Sequence, residues 1–241
     1  MKTILLQINQ MLFRLQNLFL FVLILTFLSN SLSAESLAVP GNVSDFRYYE
    51  SSHTTAAAML LKYWNVSTLP DVVLGADVET SISSCHCHQG GISFLKIKDG
   101  LNDWMILNGY DAKATQYALR SKDPGETTGF SSAVQEIKEG RPFLITYSLD
   151  VASEKDLTSS LTSTERVSFL VVGSKEDSKK QFLEVDLPKG WEKDPSIQRM
   201  SPQFLPDKGR KDPNLRLIPW MPKTGNAVVT FLSKPVPRRK P

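Results

Sequence analysis

The chain has 241 residues, with 28 Lys and Arg against 25 Asp and Glu and only 2 cysteines. A net charge of +3 excludes the concentrated basic stripe of a nucleic-acid binder, and two cysteines cannot staple so long a chain as a disulfide scaffold. With 41% hydrophobic and 22% charged residues, the composition is that of a folded globular domain, not a disordered one.

The first 34 residues stand apart. Lys2 and Arg14 are their only charges, residues 18–28 read LFLFVLILTFL, and SNSLSA follows, ending at Ala34. A basic start, a short apolar core and a small-residue exit are the parts of a secretory signal peptide. The apolar run is shorter than the roughly 20 residues that a membrane span needs. The expectation is a signal peptide over residues 1–34 and a secreted or periplasmic protein with no membrane span after cleavage. A retained N-terminal anchor is the alternative. Removing the segment leaves about 207 residues with a net charge of +1.

Residues 35–50 mix Pro, Gly and aromatics without a helical period and read as an extended lead-in. In SSHTTAAAMLLKYW, Ser51 and Ser52 are N-cap types. Ala57, Leu60, Leu61 and Trp64 recur at helical spacing, so a helix is expected over 53–64, ending before Pro70. A second helix is expected over 92–108, with Phe94, Ile97, Leu101, Trp104 and Met105 as its apolar stripe and Asn108-Gly109 as its exit. Residues 112–118 suit a strand, and SSAVQEIKEG a short helix capped by Ser131 or Ser132, with Gly140 just beyond its end.

From there the pattern becomes that of strands. Segments 142–147, 167–173, 181–187 and 227–232 are rich in β-branched and aromatic residues and bounded by turn formers. Two irregular insertions are expected between them, 149–166 and 188–225. The second carries Pro195, Pro202, Pro206, Pro213, Pro219 and Pro222, too many for regular structure, while Trp191, Leu215 and Trp220 should pack on the domain. Helices first and strands after make one α+β domain over residues 35–236. A solvated basic tail with Arg238, Arg239 and Lys240 follows.

In that frame FRYYESSHTTAAAMLLKYW, IKEGRPFLITY and VSFLVVG…FLEVDLP follow in order. Together they resemble the papain-like cysteine peptidases of the bacteriocin-leader-processing (double-glycine leader) type, over roughly residues 43–186. The resemblance implies a papain-like fold, with an Ala-rich N-terminal helix packed on a mostly antiparallel sheet. It places Ser52 where the family keeps its nucleophilic Cys, with His53 and Thr54 replacing the next two residues of the motif. Ser168 stands at the position of the base His, and Asp186 matches the orienting acid. Arg47 and Tyr48 lie nearest the oxyanion-holding Gln. No His or Cys follows residue 88.

A serine hydroxyl is a far weaker acid than a thiol and needs a general base, which Ser168 cannot be. The expectation is therefore a catalytically inactive pseudopeptidase that binds a peptide or protein in the former substrate cleft. For the individual residues plainer readings compete: Ser52 as an N-cap, and Asp186 as the end of a strand.

The remaining chemical feature is SCHCHQGG, which holds Cys85, His86, Cys87 and His88 within four positions. Thiolate and imidazole suit zinc or copper, and His53 is the only obvious donor elsewhere; no other cofactor is expected. A structural loop with free or bridged thiols, and a thiol enzyme pairing Cys85 or Cys87 with His53, are the alternatives.

Overall fold

The structure is a computed structural model. It describes residues 34–84, 94–120, 126–148, 166–177, 180–206, 212–220 and 226–238. Residues 1–33 of the expected signal, the cluster Cys85, His86, Cys87 and His88, and nearly all of the 149–166 insertion lie outside the described residues.

The chain opens with strand β1 (Ala34–Ser36) and a single turn of helix, α1 (Gly41–Ser44), and reaches the Ala-rich helix α2 (Ser52–Tyr63). Helix α2 ends with Asn65 in the left-handed region at φ 53°. The Asn65 and Val66 amides return to the carbonyls of Lys62 and Leu61, at 2.9 and 3.3 Å, which satisfies two otherwise orphaned acceptors. Two antiparallel helices follow, α3 (Asp71–Ser84) and α4 (Phe94–Leu107). The Trp104 indole donates to Asp77 Oδ2 at 2.6 Å. A Cβ added to Gly100 would lie 2.7 Å from the Ile82 backbone, so a glycine is what lets the two helices touch.

After β2 (Tyr110–Asp111) come β3 (Ala114–Arg120) and α5 (Glu126–Lys138), then β4 (Phe143–Ser148), β5 (Arg166–Asp177) and β6 (Lys180–Asp186). The 188–225 segment, expected to be irregular, instead contains helix α6 (Pro195–Met200), the short β7 (Leu205–Pro206) and β8 (Leu215–Pro219). Two of its prolines stand where they do no harm: Pro195 at the start of a helix, where no amide hydrogen is needed, and Pro219 at the end of a strand. Leu215 and Trp220 are buried as expected. The chain closes with β9 (Asn226–Leu232) and β10 (Val236–Pro237).

The class is α+β. Among the described residues every ladder is antiparallel, in the order β3-β9-β4-β5-β6-β8-β7, with β1 added to β5. Side chains alternate across this sheet. Phe143, Ile145 and Tyr147 of β4, and Val167, Phe169 and Val171 of β5, join one core with Phe130, Ala133 and Ile137 of α5 and Ile197 of α6. Leu144, Leu170 and Val172 point the other way and pack with Ala57, Leu60 and Leu61 of α2, Leu74, Val78 and Ile82 of α3, and Ile97, Leu101 and Trp104 of α4. The expected packing of the Ala-rich helix on the sheet is therefore present. The helix over 71–84 had no counterpart in the sequence reading.

Candidate functional site

Period-two alternation decides which polar residues face α2. On β5, Ser168 shares its face with Leu170 and Val172, because Val167, Phe169 and Val171 fill the opposite core. On β6, Leu183, Val185 and Leu187 likewise commit Asp186 to the α2 side. Thr146 of β4 lies opposite Ser168 in register. All three are buried under the N-terminal end of α2, at 1% exposure for Thr146, 2% for Ser168 and 1% for Asp186.

That helix end is arranged differently from the simplest expectation. Ser51 is the N-cap, with extended backbone at φ −139° and ψ 151° and its hydroxyl accepting the Thr54 amide. Ser52 is the first helical residue, so the reading of Ser52 as the cap is corrected by one position. Its hydroxyl is used across the fold, accepting the Ser168 amide at 3.2 Å, and its own amide donates to Asp194 Oδ2 at 3.0 Å. Thr54 donates to Glu79 of α3. Ser52, Ser168 and Asp186 line one small cavity together with Met59, Leu170 and Ile197, with space for about one water molecule.

His53, next to Ser52 on the helix, also reaches Ser168. Its Nδ1 shares a hydrogen bond of 2.6 Å with Ser168 Oγ, which is also 2.6 Å from Thr146 Oγ1. The Ser168 hydroxyl thus stands between an imidazole and a second hydroxyl. Burial, with the Arg166 guanidinium adding to it, pulls the His53 ring down to about 4 against the opposite influence of Asp194 and Glu79. The ring is neutral at physiological pH.

Asp194 organises the other side of the site. Its Oδ1 caps α6, accepting the Ser196 and Ile197 amides at 2.7 and 3.1 Å. Its Oδ2 accepts the Ser52 amide and, at 2.9 Å, the Tyr48 hydroxyl. Burial, reinforced by this carboxylate, holds the Tyr48 phenol protonated well above its usual range. Tyr48 reaches it because the lead-in runs alongside Lys189, with Tyr48 N donating to Lys189 O at 2.8 Å and Lys189 N to Phe46 O at 2.7 Å. Arg47 turns its amide to Asp71 Oδ2 at 3.0 Å.

No protein-family model matches the chain, and no curated protein sequence matches it.

Ser52, Ser168 and Asp186, the positions singled out by the resemblance, line one cavity. None of them presents a thiol or an imidazole to it. His53, the described member of the expected metal set, has Nδ1 engaged by Ser168. Among the described residues no group of three or more His, Cys, Asp or Glu is placed to hold a metal ion. Asp194 and Thr146 were missed by sequence reasoning. Thr146 lies within an expected strand and carries no motif. Asp194-Pro195 is a recognisable helix start, a capping acid followed by proline, hidden in a segment dismissed for its prolines.

Proposed function

We propose that the chain is a secreted or periplasmic papain-like pseudopeptidase that binds a peptide or protein at the former substrate cleft. The supporting observation is the meeting of Ser52, Ser168 and Asp186, from three separate segments, around one cavity. Two of them are hydroxyls at the family's nucleophile and base positions. A binding site needs no nucleophile, so this composition is neutral for recognition and fatal for thiol chemistry. The cavity is far too small for a peptide, and Asp194 holds α6 against α2. A ligand at this cleft displaces residues 194–200, and its affinity carries the cost of that opening.

The test combines hydrolysis with hydrogen exchange. Casein and a random peptide library should remain uncleaved. Library peptides that bind should change amide exchange at residues 48–56 and 194–200. Cleavage abolished by Ser52→Ala overturns the inactive reading, and bound peptides that leave both segments unchanged overturn the cleft.

A second reading is favoured by the 2.6 Å contact between His53 Nδ1 and Ser168 Oγ. In it Ser168 is the nucleophile and the neutral imidazole its base, an active hydrolase with relocated residues. The 2% exposure of Ser168 weighs against it. A serine-directed fluorophosphonate that labels Ser168, with hydrolysis lost in Ser168→Ala and kept in Ser52→Ala, selects this reading over the first.

A further inference from the structure

Seven large hydrophobic side chains are prominently exposed among the described residues, and six of them, all but Leu205, belong to one end of the α3–α4 pair. The helices run antiparallel, as the Trp104–Asp77 bond and the Gly100–Ile82 contact require. The first turn of α3, with Val72 and Val73, therefore lies at the same end as the last turn of α4, with Ile106 and Leu107. Leu69 lies two residues before the start of α3. Val236 joins them because β10 pairs with β2, Val236 opposite Asp111, and the Arg238 amide donates to Gly109 O at 2.8 Å. The exposures are 79% for Leu107, 60% for Val72, 56% for Val236 and 51% for Ile106. Single exposed apolar residues need no explanation, whereas a grouping at one end does.

Exposed cations lie on the segments that adjoin this group. Lys113, Lys234 and Arg238 are exposed. The acids at this end are Asp71, Asp103 and Asp111. Asp71 is already paired with Lys62 at 3.8 Å, which leaves Lys113, Lys234 and Arg238 against Asp103 and Asp111 among the described residues.

We propose that this end of the molecule is a peripheral docking surface for a lipid bilayer with anionic headgroups. Leu107, Ile106, Val72 and Val236 enter the headgroup boundary while Lys234, Arg238 and their neighbours meet the lipid charge. Apolar side chains on protruding helix ends and a hairpin, rimmed by Lys and Arg, match the two-signal requirement for reversible attachment, hydrophobic insertion plus a basic patch. No helix among the described residues is long and apolar enough to cross a membrane, and docking of this kind needs none. The surface is independent of the cleft and of the pseudopeptidase reading. It gives Arg238, which the sequence reads as part of a solvated tail, a partner.

The test is sedimentation of the full chain with vesicles of phosphatidylcholine alone and of phosphatidylcholine mixed with phosphatidylglycerol. Association is expected with the mixed vesicles and should weaken as salt rises. Lys234→Gln with Arg238→Gln should lower it about fivefold per cation removed. Ile106→Asn with Leu107→Asn should lower it about tenfold or more. These positions are exposed, so thermal melts of the variants should coincide with that of the wild type.

Failure to bind the mixed vesicles overturns the proposal. So does equal binding by wild type and variants, the result expected if residues 1–33 carried the attachment. Self-association on light scattering that the two Asn substitutions abolish, without vesicle binding, assigns the surface to a second copy instead.

Discussion

Asp194→Ala is the sharpest test of how the site is held shut. The carboxylate is 4% exposed and accepts four hydrogen bonds, from Ser52 N, Tyr48 Oη, Ser196 N and Ile197 N. Losing the cap of α6 costs about 1–2 kcal/mol. The Ser52 amide is left buried without its acceptor, at about 1–3 kcal/mol. Tyr48 loses less, since its single hydroxyl proton can turn to Glu50 O, 2.7 Å away. Relief of the carboxylate's own desolvation offsets part of the loss. A net destabilisation of about 3 kcal/mol follows, which in a domain of this size lowers Tm by roughly 6–12 °C.

Asp194→Asn should recover only part of this. A carboxamide has one acceptor oxygen, and either orientation turns its NH2 toward amide or hydroxyl donors now served by a carboxylate oxygen. Urea denaturation at pH 7 gives the free energies. Hydrogen exchange at residues 52–56 and 194–200 should show both segments loosening together. A loss under about 1 kcal/mol for Asp194→Ala, or exchange that rises in only one segment, refutes the idea that this carboxylate fastens α6 to α2.

Other outcomes follow from the same geometry. His53 titrates at about 4 in the folded chain and near 6.5 when unfolded, so the unfolded state binds more protons between those values. Stability should therefore fall as pH drops from about 6.5 to about 4, by up to about 3 kcal/mol. His53→Gln should flatten that interval relative to the wild type, and superimposable urea-derived pH curves would count against a neutral, half-buried ring. Thr146→Val keeps the shape but removes the partner of Ser168 Oγ and should cost about 1 kcal/mol. A double-mutant cycle with Ser168→Ala should return a coupling of at least about 0.5 kcal/mol, and strict additivity would show that the two hydroxyls do not interact. Gly100→Ala drives a methyl to 2.7 Å from the Ile82 backbone and should destabilise by about 1–3 kcal/mol, although an exposed helical position would gain from the same change. A thermal melt unchanged by this substitution would mean that α3 and α4 are not in contact.

The helices and strands that could be read from the sequence are those whose apolar spacing is undisturbed. Ala57, Leu60 and Leu61 mark α2; Ile97, Leu101 and Trp104 mark α4; and VSFLVVG and QFLEVDL mark β5 and β6. Helix α3 escaped because Leu74, Val78 and Ile82 form a narrow stripe, interrupted by Gly75 and blurred by the exposed Val72 and Val73. Its place is secured by contact with α4, not by local propensity. Helix α6 and β8 were obscured by prolines, each at a position that tolerates them.

For the site, the division has one physical cause. Alternation along a strand is local, so the burial of Ser168 and Asp186 on the α2 side follows from the apolar residues flanking each of them. The absence of any His or Cys after residue 88, which argues against thiol catalysis in that frame, is likewise plain in the sequence. Partners distant in the chain are not local. Ser52 meets Asp194 across 142 positions, and His53 meets Ser168 across 115. Nothing in the spacing of those residues encodes the encounters, because they arise from the packing of the sheet, α2 and α6. Only tertiary structure could reveal that a carboxylate from a proline-rich segment ties α6 to α2, and that the His53 imidazole reaches the Ser168 hydroxyl.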